Sequence, residues 1–81
     1  MDFVNNVSLS PNPATSKISI KAPERIQLIK IFTISGEEVV SKTGGNNLSA
    51  TVVIGLLPKG LYNVRVITDN AICNTLLYKA S

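Results

Sequence analysis

The acid–base and ligand chemistry open to this chain rests on five carboxylates and one thiol, because it has no histidine. The carboxylates are Asp2, Glu24, Glu37, Glu38 and Asp69. A working acid–base pair needs two such groups on one face with separated pKa values. Glu37 and Glu38 are adjacent on a predicted strand, so they point to opposite faces. The other three fall in different loops. Cys73 has no imidazole to activate it, and between Ile72 and Asn74 it reads as a small buried hydrophobe rather than a nucleophile. Metal ligation wants several His, Cys or clustered carboxylates, and none is visible. Gly44-Gly45 lacks the lysine and the helix of a phosphate loop. The expectation is a chain without catalysis, cofactor, metal or small-molecule ligand.

The remaining information lies in turn residues and in the elements around them. Ser8-Leu9-Ser10-Pro11-Asn12-Pro13-Ala14 places two prolines around one Asn. Each proline fixes its own φ, pushes the preceding residue toward extended geometry and donates no ladder hydrogen bond. Such a segment suits a sheet edge or a lead-in loop, not a central strand. Ser35-Gly36 reads as a hairpin turn. Leu57-Pro58-Lys59-Gly60 reads as a bend, with Leu57 plugging the edge of the core. Thr43-Gly44-Gly45-Asn46-Asn47 is a loop by composition.

Between these signals the hydrophobic pattern has period two, which predicts strands over residues 7–10, 16–21, 26–34, 37–42, 48–54, 61–68 and 71–79. Ile18, Ile20, Ile29, Ile31, Val39, Tyr62, Val64 and Val66 are assigned to the core, and Leu48, Ala50, Val52 and Ile54 share one face of their strand. The alternation slips between Leu28 and Ile29, by a bulge or by coverage of both faces. Leu28 and Phe32 then fall on an outer face that another surface could cover. Seven short antiparallel strands predict an all-β fold, a small seven-stranded immunoglobulin-like β-sandwich. The cysteine pair and core tryptophan of antibody domains are missing, so that likeness is architectural.

Eighty-one residues make one domain with a thin core, burying about 60% of the unfolded surface. Aromatics are 5% and Trp is absent, so Ile, Val and Leu must fill it. The net charge of +3 comes from scattered basic residues with no aromatic interleaving, which argues against a nucleic-acid surface. No apolar run of about 18 residues exists, and Met1-Asp2-Phe3-Val4-Asn5-Asn6 lacks the pattern of a signal peptide. The expected organisation is a linker remnant or added start over residues 1–6 and a domain over residues 7–81, cut from a longer precursor.

Three blocks in order resemble a known family. They are Pro11-Asn12-Pro13-Ala14, a strand ending in Ser35-Gly36, and Leu57-Pro58-Lys59-Gly60-Leu61-Tyr62-Asn63-Val64. Together they resemble the C-terminal sorting domain, type A, of the type IX (Por) secretion system of Bacteroidetes-type bacteria. The likeness spans roughly Ser8 to Lys79. Two departures stand out. The final hairpin has Asp69-Asn70-Ala71 where many members have Gly, with Asn able to take positive φ. Lys79 follows the closing apolar residues, where the family often has a Lys before them.

The resemblance implies a seven-strand sandwich that performs no chemistry. It implies a signal at the end of secreted cargo, recognised by an outer-membrane translocon with its cargo-shuttle and sortase components. A sortase-like peptidase then removes the domain, cutting before or within residues 1–7, and the cargo reaches the cell surface or the medium. The residues singled out for recognition or motif geometry are Pro11, Asn12, Pro13, Phe32, Gly36, Pro58, Gly60, Tyr62 and Lys79. Each also has a plain structural role; Tyr62 can tie its hydroxyl to nearby backbone as in a tyrosine corner. Weak self-association through an edge strand is a further expectation. The alternative is a structural or carbohydrate-binding module of a cell-surface protein.

Overall fold

The computed structural model describes residues 2–4, as backbone, and residues 7–80. All its regular structure is β: β1 (Asp2–Val4), β2 (Ser8–Ser10), β3 (Lys17–Thr33), β4 (Glu38–Val53), β5 (Gly60–Thr68) and β6 (Ala71–Lys79). The expected linker remnant over residues 1–6 thus contributes a short strand, with Met1, Asn5 and Asn6 outside the described residues.

The all-β reading holds, but the count of seven does not. The expected strands over 16–21 and 26–34 are one element, β3, and those over 37–42 and 48–54 are one element, β4. The seven expected strands therefore condense to five, β2 to β6. The reason is that residues read as breaks act as bulges. The β3–β4 register shifts between Lys21 and Ile26, again between Ile26 and Leu28, and once more between Ile31 and Phe32. Pro23 lies in the stretch between registered pairs, where no ladder donor is needed. On β4, Gly45 and Asn46 take left-handed φ of 68° and 61°, and the strand bends without ending. Gly44 packs so tightly there that a Cβ would lie 2.3 Å from the Ile26 carbonyl oxygen.

The ladders join every strand into one hydrogen-bonded network, in the order β1-β6-β5-β3-β2 with β4 on β3, where two separate sheets were expected. All pairings are antiparallel except β1 with β6. Along β3 the partner changes at the bulge. Residues 19–21 pair with β2, and residues 26–33 pair with β5. β4 follows β3 on its other side through both halves.

One core draws on both halves. Ile18 and Ile20 come from the first part of β3, and Ile26, Ile29 and Ile31 from the second. Val52 and Ile54 join Tyr62, Val64, Val66, Cys73 and Leu77. Ile26 and Ile29 are both fully buried although three residues apart, which strict alternation forbids. The bulge at Gln27 restores the face, one position earlier than the pattern suggested. Leu28 and Phe32 are half-buried on the other face. Leu48 departs from expectation: it shares the parity of Val52 but is 56% exposed, because it sits beside the corner of β4.

Candidate functional site

The three sequence blocks converge on one end of the molecule. Gly60 pairs with Lys79, which is bridged in parallel to Ala14. In the same end of the sheet Tyr62 lies between Leu77 on β6 and Thr33 on β3. Residues 11–14, 33–36 and 57–62 are thus neighbours across the ladder although dispersed along the chain.

Each block has a local physical cause. Pro11, Asn12 and Pro13 are exposed, both Xaa–Pro bonds are cis, and Ala14 is buried. Asn12 holds the edge of β6 with its side chain. Its Oδ1 accepts from the Tyr78 N–H at 2.9 Å and its Nδ2 donates to the Leu76 carbonyl at 3.0 Å. Backbone takes over one step on: the Ala14 N–H donates to Tyr78 O at 2.9 Å and the Ala80 N–H to Ala14 O at 2.8 Å. The carboxamide therefore stands in for one residue of a strand that the prolines cannot supply.

At the β3–β4 hairpin, the Gly36 N–H donates to Thr33 O at 2.9 Å, and Gly36 has φ of 99°. Thr33 reinforces the turn, its hydroxyl oxygen accepting from the Glu37 N–H at 3.0 Å. In the third block the Tyr62 hydroxyl donates to the Pro58 carbonyl, the local tie anticipated for a tyrosine corner. Gly60, between them, has φ of 146°, a region that side chains resist.

Two residues stand differently from their expected surroundings. Lys79 is 1% exposed, so in this fold it offers no surface contact. Phe32 is half-buried because the Arg65 guanidinium lies 5.2 Å from its ring centroid. Phe32, Arg65, Asn63 and Asn74 line a shallow groove with Thr33 and Gly36. Beside it Leu61, Leu76 and Tyr78 are exposed, Leu61 directly opposite Tyr78.

Several ionisable groups help to hold the fold. Glu24 accepts from the Thr68 hydroxyl at 2.8 Å and from Asn70 Nδ2 at 3.0 Å. Hydrogen bonds from Asn70 and then Thr68 hold its carboxyl below its ordinary value. Thr68 in turn accepts from the Ala71 N–H at 3.2 Å. This clasp closes the β5–β6 hairpin; Asn70 does not take the positive φ expected of it. Sequence reading missed the clasp, whose partners are more than forty residues apart. Burial, and secondarily the charge of Glu24, pushes the Cys73 thiol up, which favours its neutral form. Glu38 pairs with Lys30 at 2.9 Å. Among the described residues no cluster of three or more His, Cys, Asp or Glu could hold a metal.

The converging blocks are thus made of turns, strand-edge contacts and exposed apolar side chains. The family model for the secretion system C-terminal sorting domain matches residues 8–77. The chain belongs to that family. The matched span runs from the first residue of β2 to the buried Leu77 of β6, so it takes in all three converging blocks. Sorting domains of this kind are signals of type IX secretion, non-catalytic in general, and they mark a protein for export to the cell surface or medium. No curated protein matches the chain.

Proposed function

We propose that this sorting domain is bound in the periplasm by the outer-membrane translocon and its cargo-shuttle and sortase components. It is then severed from its cargo by a sortase-like peptidase within or just before residues 1–7. The supporting observation is the convergence of the three family blocks on one end of the sheet, beside the exposed Leu61, Leu76 and Tyr78. An exposed apolar patch next to rigid turns suits protein recognition. Carbohydrate binding is less well supported: of Phe32, Tyr62 and Tyr78, only Tyr78 is exposed.

We infer that the two halves of the β3–β4 hairpin fold over one another as the layers of a sandwich. The support is the single core they share and overall dimensions of 33 × 22 × 19 Å, deep enough for two layers about 10 Å apart.

The test is transfer. A reporter carrying a periplasmic signal peptide and this domain at its C-terminus should reach the surface or medium of a type IX-competent host. It should stay in the periplasm when the translocon is deleted. Retention of the folded fusion in the competent host refutes the proposal.

A further inference from the structure

The sheet's outer edges are unequally protected. The β6 edge is covered by β1 at residues 71–73 and by Asn12 and Ala14 near its end. β2 is three residues long and runs into Pro11 and Pro13. The first half of β4 carries Glu38 and Lys42. Brevity, proline and charge all discourage strand addition. The second half of β4 has none of these. Residues 48–53 read Leu-Ser-Ala-Thr-Val-Val, and among the described residues β4 pairs only with β3. Leu48 is 56% and Val53 75% exposed.

The backbone directions follow from one bond. The Ile54 N–H donates inward to Ser16 O at 2.8 Å. Backbone direction alternates along a strand, so Val52 and Ala50 face β3 while Val53, Thr51 and Ser49 present their N–H and C=O groups outward. One of those carbonyls is taken by a side chain: Lys42 Nζ donates to Thr51 O. Lys42 lies opposite the buried Ile29 in the ladder, on the first half of β4, and reaches across to cap the second half at its centre.

We propose that residues 48–53 are a strand-addition site for the same segment of a second copy, and that Lys42 is its removable cap. The segment is self-complementary. Antiparallel pairing about Thr51 sets Thr51 opposite Thr51 and Ser49 opposite Val53, so every outward N–H meets an outward C=O. No charge is buried in the new ladder. The like net charge of two copies opposes the pairing at low salt, so association strengthens as salt is added.

Sedimentation velocity on the folded chain tests it, from about 10 μM to about 1 mM, alongside Lys42→Ala and Lys42→Met. Both variants remove an exposed cap and should tighten dimerisation about tenfold relative to the native chain. Adding Thr51→Lys to either sets two ammonium groups face to face on the symmetry axis and should abolish the dimer. Thr51 is exposed, so the fold should survive, which a thermal melt checks. Monomeric behaviour of both Lys42 variants throughout the range overturns the proposal. So does a dimer that persists with Thr51→Lys, and so does a monomer that instead captures an unrelated extended peptide.

Discussion

The Asn12 carboxamide is hydrogen-bonded to the Tyr78 N–H across 66 residues of sequence, at 2.9 Å. One side chain near the start of the domain thereby fixes the edge of its last strand. The two prolines flanking Asn12 make this necessary, since neither can donate to a neighbouring strand. They also make it cheap, since each fixes its own φ and so limits the freedom lost when the contact forms. The Pro-Asn-Pro block is thus a clip, and its middle residue supplies the hydrogen bonds.

Asn12→Ala should therefore destabilise the domain by about 1–2 kcal/mol, from two lost hydrogen bonds to backbone. The value stays modest because the site is exposed and water can replace the carboxamide. Asn12→Asp keeps the acceptor for Tyr78 N–H but sets an oxygen against the Leu76 carbonyl, so it should not restore native stability. Urea denaturation of the three chains measures both. Native stability in Asn12→Ala would show that the clip is ornamental.

The glycines separate a packing constraint from a conformational one. Gly44→Ala forces a Cβ to within 2.3 Å of Ile26 O, and backbone there cannot swing aside. Overpacking of that kind should cost about 3 kcal/mol. Gly60 has open space around it, and its φ of 146° alone should make Gly60→Val cost about 2 kcal/mol. Lys59→Ala, one residue away and exposed, should stay within about 0.5 kcal/mol of the native chain. Thermal melts give the ranking, and equal values for Gly60→Val and Lys59→Ala would remove the conformational argument.

Much of this arrangement was legible because period-two alternation is a local signal. Ile18, Ile20, Tyr62, Val64 and Val66 are buried as their spacing requires. The Ser35-Gly36 turn and the Tyr62 tie are also local, set by chemistry within four residues. What failed was the distinction between a loop and a bulge. Both recruit Gly, Pro and Asn, and only pairing with β3 shows that residues 43–47 continue a strand. Lys79 was readable in principle: it shares the parity of Ala71, Cys73 and Leu77, the buried face of β6. Its charge suggested the surface instead. The Asn12 clip, the Glu24 clasp and the Lys42 cap carry no such signal. Asn12 and Glu24 reach partners more than forty residues away, and Lys42 reaches across the corner of its own strand.

Phe32 sits between the two outcomes its position allowed. It is on the outer face, opposite Asn63 and Glu38, yet half-covered by Arg65. Phe32→Ser should cost about 1 kcal/mol, roughly half the effect of a fully buried apolar side chain. Arg65→Ala in the Phe32→Ser background should add little, because the ring it packed on is gone. A double-mutant cycle by chemical denaturation reads this, with an expected coupling of about 0.5–1 kcal/mol. A loss near 3 kcal/mol for Phe32→Ser alone would instead place the ring in the core.

The Glu24 clasp gives the domain an acid-sensitive corner. The carboxylate accepts from Asn70 and Thr68, which favours its charged form and lowers its pKa in the folded state. A group whose folded pKa is depressed contributes stability that is complete above its unfolded pKa. That contribution fades as pH falls through the ordinary carboxylate range toward the folded value, where both states are protonated. Glu24→Gln keeps an acceptor for one partner and has nothing to titrate. The native chain should therefore be the more stable of the two near neutral pH, with the gap closing steadily as the solution is acidified. Neighbouring charge does not reverse the sign: Arg25 is adjacent in sequence and Asp69 is engaged with Gln27 at 2.6 Å. Melting temperatures of both chains across this range test the clasp. A gap that stays constant with pH would mean that Glu24 is not the group that titrates.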